Sequence, residues 1–169
     1  MDIGKFIEEF DQAAAKDRAQ KKASETIRLI KKHITNPYVS YEVKMSEASK
    51  IADLSMYTTV DDRRIFKMNS PLRYMLFMMA IVRCYTDLEW DKTNAVIQFD
   101  LVEARGIFEL LINEIGEDYE KFQTVLSMVV DDKITNERSL VSFFETKTEA
   151  LGMTLNTLLD QLAAMSEAQ

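Results

Sequence analysis

Glycine, proline, cysteine and histidine are all scarce: the 169 residues hold four, two, one and one of them. So few glycines and prolines disfavour a strand-rich or loop-rich fold and suit long helices joined by short turns. A single cysteine, Cys84, has no partner for an internal disulfide and gives no sign of an oxidising compartment. The single histidine, His33, lacks the second ligand a zinc site needs and has no nucleophile motif beside it. Its place among lysines at a helix end suits a surface cation facing the helix dipole. Glycines at 4, 106, 116 and 152 make neither a dinucleotide fingerprint nor a phosphate loop. The start, Met1 to Phe10, carries acids and no apolar core of signal-peptide type. The expectation is a chain with no catalytic residue, metal, cofactor or small-molecule substrate.

What is abundant is apolar helix. Asn69 to Asp87 opens with Ser70 as a hydroxyl cap and Pro71 at the first helical position. It then runs apolar almost all the way round, broken by Arg73 and Arg83. The run is short of the roughly 20 residues that cross a bilayer, which predicts the central buried helix of a bundle and no membrane contact. Its methionines, Met75, Met78 and Met79, fill core gaps or line an adaptable groove.

The rest of the chain reads as further helices. A long N-terminal one covers about 2–34, with apolar clusters at 3–10 and 23–34 around a charged middle, Lys16 to Lys22. Asn36-Pro37 stops it. Residues 38–45 alternate as a strand would, with 63–67 as the candidate partner, or else open a helix near Ser40. Both readings agree on helix from about Ser46 to Met56, followed by a connector over 57–69. After a loop around Trp90 (87–98), Asp100 and Glu103 form a capping box, and that helix stops at Gly116. Three more helices are expected: one ending near 133, one over 137–151 closed by Gly152, and one capped by Thr154 with Met153 stapled onto Leu158. The fold class is therefore all-α. The expected form is a single compact helical bundle of about six to seven helices around a buried central helix, with a long N-terminal helix and at most one short hairpin. The expected organisation is an N-terminal helical arm (1–35) on a bundle (36–169).

Charge is divided unevenly along the chain. Residues 1–85 carry 15 bases and 11 acids, and residues 86–169 carry 6 and 17, so the halves stand at +4 and −11. This asymmetry suits contacts between copies or with other proteins. Candidate partner-binding residues are Phe6, Phe10, Arg18, Lys21, Lys22, Arg28 and Lys32 on the first helix, with Trp90. The basic stretch lacks interleaved aromatics and the chain is acidic overall, which argues against nucleic acid. The acids Glu114, Glu117, Asp118, Glu120, Asp131 and Asp132 are the best-clustered candidates for a carboxylate–metal hydrolase, without the second paired motif such an enzyme needs.

Asn69-Ser-Pro-Leu-Arg-Tyr-Met-Leu-Phe77, closed by Tyr85-Thr-Asp87, together with Val129-Val-Asp-Asp132, resembles small helical proteins of tailed bacteriophages and prophages over about 37–135. The resemblance implies a phage protein made in the cytoplasm of a bacterial host, free or incorporated in the virion. It transfers no catalytic residue and no assigned role. Three readings stand: a non-enzymatic virion component or morphogenesis factor, a small acidic inhibitor of a host defence or polymerase protein, and a carboxylate–metal hydrolase. The first takes copies of itself or other phage proteins as partners.

Overall fold

Asp2 opens the first helix, its carboxylate accepting hydrogen bonds from the Gly4 and Lys5 N–H groups in α1 (Ile3–Gln20). The computed structural model describes residues 1–21 and 23–167, with side chains described at all of these except 145, 146 and 149–167. The described residues fall into two compact units, Met1–Val130 and Asp131–Gln169.

The single long N-terminal helix is not formed: α1 ends at Gln20, Lys21 takes a left-handed φ of 52°, and a second helix starts at Ser24. The device behind the break is Asp17. Its carboxylate accepts from the N–H groups of Ser24, Glu25 and Thr26 and from the Thr26 hydroxyl, at 2.7–3.1 Å. It thereby satisfies the open donors at the start of α2 (Ser24–His33) from another element. α1 and α2 pack on each other, and residues 1–35 lie within the first unit.

Of the two readings of 38–45, the helix opening near Ser40 is the one found, with 38–40 preceding it. Ser40 caps α3 (Tyr41–Met56), which buries Ala48, Ile51, Ala52 and Ser55 and leaves Tyr41 exposed. The one hairpin among the described residues lies instead in the stretch read as a connector. It pairs β1 (Tyr57–Val60) with β2 (Arg63–Phe66), Tyr57 opposite Phe66 and Val60 opposite Arg63. Its two-residue turn is Asp61-Asp62, both at positive φ as a primed turn requires.

α4 (Ser70–Tyr85) is the central helix expected, although its cap is Asn69, whose side chain accepts from the Leu72 N–H. Phe77, Met78, Ala80, Ile81, Val82 and Tyr85 are buried, and Phe77 meets Phe122 edge to face at 5.4 Å. The strand-like segment after α4 is clamped from two sides. On one side Ile3 donates to the Glu89 carbonyl, and on the other the Asp87 N–H donates to the His33 carbonyl.

Asp100 and Glu103 are not a capping box: they sit inside α5 (Ala95–Ala104), which begins five residues earlier than the expected cap. The chain then turns through Gly106 at φ 68°, and α6 (Ile107–Ile115) follows, ended by Gly116 as expected. From there a single helix, α7 (Glu117–Glu167), continues to the end of the described residues. The breaks expected near 133–137 and at Gly152 do not occur. Nothing forces them: the span holds no proline, and one glycine inside a helix costs only about 1 kcal/mol. The Met153–Leu158 staple concerns side chains outside those described. The fold is all-α with a small hairpin, and no helix among the described residues is long and apolar enough to cross a membrane.

Candidate functional site

A buried polar cluster of the first unit joins α3, α4 and the first turn of α7. Lys44 donates to Asp118 Oδ1 at 2.6 Å, while Asp118 Oδ2 accepts from the Val39 N–H at 3.0 Å and from the Tyr85 hydroxyl at 2.7 Å. Lys44 and Asp118 are both buried, and the positive end of the α7 dipole favours the carboxylate. Burial alone would raise the pKa of Asp118, but the bonds from Lys44, Val39 and Tyr85 outweigh it and hold the carboxyl below its ordinary value. The Tyr85 hydroxyl is pushed far up, first by burial and then by its bond to that carboxylate.

Beside this cluster lies a groove of about 580 Å³, where the buried Lys44 and Val125 meet the exposed Tyr38, Tyr41 and Met128. Glu117, Glu120 and Lys121 add charge to its lining, and the Lys44 ammonium lies 5.1 Å from the centre of the Tyr38 ring. Two exposed tyrosines and a methionine over a fixed ion pair give large, adaptable contact area on a rigid support. That arrangement can hold a peptide or helix segment.

The candidate partner residues are dispersed. Phe6 and Phe10 are buried in the core, so they present no surface: the apolar cluster at 3–10 closes the first unit. Trp90 is half-buried, its indole N–H bonded to the Met79 carbonyl at 3.2 Å, and it supports Phe99. Arg18 and Lys21 are exposed at the end of α1. Arg28 and Lys32 line a second groove between α1 and α2 with Glu9, Lys16 and Glu25, where Arg28 pairs with Glu25 at 2.7 Å. This surface is mixed in charge. Lys22 lies outside the described residues.

His33 is buried, contrary to the surface position expected. Its Nδ1–H donates to Asp87 at 2.8 Å, its ring meets Phe6 edge-on, and Nε2 has no partner in an apolar surround of Ile3, Ile30 and Val82. Cys84 is half-buried, and burial, then the Glu47 carboxylate, raises its thiol pKa. Among the acids, Asp118 is engaged by Lys44, Glu114 by Lys31 at 3.2 Å and Glu117 by Lys121 at 3.6 Å. No group of three or more His, Cys, Asp or Glu able to hold a metal is found among the described residues.

Sequence reasoning missed the groove because Lys44 and Asp118 are 74 positions apart. The available signal was the pair of aromatics, Tyr38 and Tyr41, around a helix cap, and an alternating pattern disguised it. Compared with protein-family models, curated proteins and solved structures, the chain matches none.

Proposed function

We propose that this chain is a non-enzymatic assembly protein of a tailed bacteriophage, a virion component or morphogenesis factor made in the cytoplasm of a bacterial host. The observation that carries the contact role is the groove with Tyr38, Tyr41 and Met128 exposed over the buried Lys44–Asp118 pair. The phage assignment rests on the resemblance around Asn69–Phe77, Tyr85–Asp87 and Val129–Asp132. In this reading the groove receives a segment of another phage protein: tyrosines supply rigid amphipathic area, and Glu117, Glu120 and Lys121 select its charge. The test is a photoreactive phenylalanine analogue in place of Tyr41, irradiated in infected cells and read by mass spectrometry. Cross-linking to a capsid, connector or tail protein is the result expected.

A second reading is favoured by one observation, the −11 charge of residues 86–169. It makes the chain a small acidic inhibitor occupying a basic groove on a host defence or polymerase protein. The same experiment separates the two, since that reading expects a host protein at Tyr41. A carboxylate–metal hydrolase predicts divalent-metal-dependent hydrolysis that is lost when Glu117, Glu120, Asp131 and Asp132 are changed together to amides. The assembly reading expects no such activity.

A further inference from the structure

The unbroken course of α7 gives its second half a property that separate helices would lack. Positions 134, 141, 148, 155 and 162 recur every seven residues, and 137, 144, 151, 158 and 165 follow each by three. All ten are apolar except Glu137 and Thr148. Read with breaks at 133–137 and at Gly152, these stripes share no phase; on one helix they form a single heptad seam. The described side chains show its condition. Val141 and Phe144 on the seam are 55% and 64% exposed, with Leu140 and Phe143 beside them at 54% and 55%. A run of more than four heptads exceeds the three to four that mark a coiled coil, and such a seam is stable only against another helix.

We propose that residues 134–165 of α7 pair with the same residues of a second copy of this chain, as an antiparallel two-stranded coiled coil. Charge sets both the occupant and the direction. Residues 131–149 hold five acids and three bases, whereas 150–166 hold one charged residue, Asp160. An antiparallel pair lays the charged half of each helix along the neutral half of the other, with Val141 facing Leu158 of the second copy. A parallel in-register pair instead stacks Glu137 on Glu137 within the seam and brings Lys133 near Arg138, like charge against like. A two-fold axis makes the seam self-complementary, so no other protein is needed to cover it. This inference is independent of the groove on the first unit and goes beyond the assembly role.

Sedimentation velocity on the full chain tests it. A dimer is expected, and Val141→Glu with Phe144→Glu should give a monomer whose Trp90 emission, reporting the first unit, is unchanged. If that pair disturbs the emission, Val141→Ala with Phe144→Ala serves, with weaker association expected. A monomeric unaltered chain, or a dimer that survives these substitutions undiminished, overturns the proposal. Direction is read on a Cys84→Ser background: Val141→Cys and Leu158→Cys chains should cross-link when mixed and oxidised. Val141→Cys chains cross-linking to one another instead, or a mixture giving no cross-link, overturns the antiparallel register.

Discussion

Asp118 ties the Val39 backbone, Lys44 of α3, Tyr85 of α4 and the start of α7 to one carboxylate. Removing one member of a buried ion pair strands the other. Asp118→Ala should therefore cost about 3–5 kcal/mol in denaturant titration. Replacing both partners, Lys44→Met with Asp118→Leu, should cost less than the single change, because no charge is then left buried. Equal or greater loss in the double variant would mean that the pair acts mainly through its geometry. The pH dependence has a definite sign on each side. For Asp17 burial raises and hydrogen bonds from residues 24–26 lower the pKa, and the bonds prevail as they do for Asp118. Both carboxyls thus stabilise the fold fully above the unfolded value of about 4, and that contribution is lost as pH falls through their folded values. Tyr85 is shifted upward, so its contribution is full below about 10 and is lost as pH rises from there. Melting temperature against pH should show both limbs; a curve flat from neutral pH into the acid range would contradict the role given to the two aspartates. None of these ties is legible locally, for each joins residues that no motif links.

Elements were legible where their cause is local. The apolar run 72–85 cannot be a surface helix, and Gly116 ends α6 because it supplies a backbone that side-chain-bearing residues resist. Elements were misread where the cause is remote or ambiguous. The break between α1 and α2 is marked by neither glycine nor proline and is braced by Asp17; the hairpin turn Asp61-Asp62 also lacks glycine. Gly106 falls inside the helix expected from Asp100 to Gly116, yet it is the break between α5 and α6. Gly152 and Thr154 look like a stop and a cap, yet the backbone passes through both as helix. Two glycines with opposite expectations test this assignment. Gly106→Ala, at φ 68°, should destabilise by about 1–2 kcal/mol. Gly152→Ala should stabilise α7 by about 0.5–1 kcal/mol and raise helical ellipticity. A destabilising Gly152→Ala would mean that the helix ends there. Phe77→Ala should cost about 3–5 kcal/mol through the cavity left against Phe122.

At the scale of the molecule, the burial of Ile3, Phe6, Ile7 and Phe10 changes what the N-terminus does. These residues complete the core of the first unit, so deleting 1–20 should abolish cooperative unfolding seen by Trp90 fluorescence, where a peripheral arm would leave the transition intact. Exposed apolar surface lies elsewhere, in the Tyr38–Tyr41–Met128 groove and at Leu140, Val141, Phe143 and Phe144 of α7. In the proposed phage assembly role this chain works through the groove, and that proposal is tested most directly by complementing a phage that lacks the gene. Tyr41→Glu with Met128→Glu alters two exposed groove residues and should leave the melting temperature of the first unit unchanged. Such phage should lose plaque formation, while Asp131→Asn with Asp132→Asn, two changes outside the groove lining, should still yield infectious particles. Full infectivity from the folded groove variant would contradict the proposal.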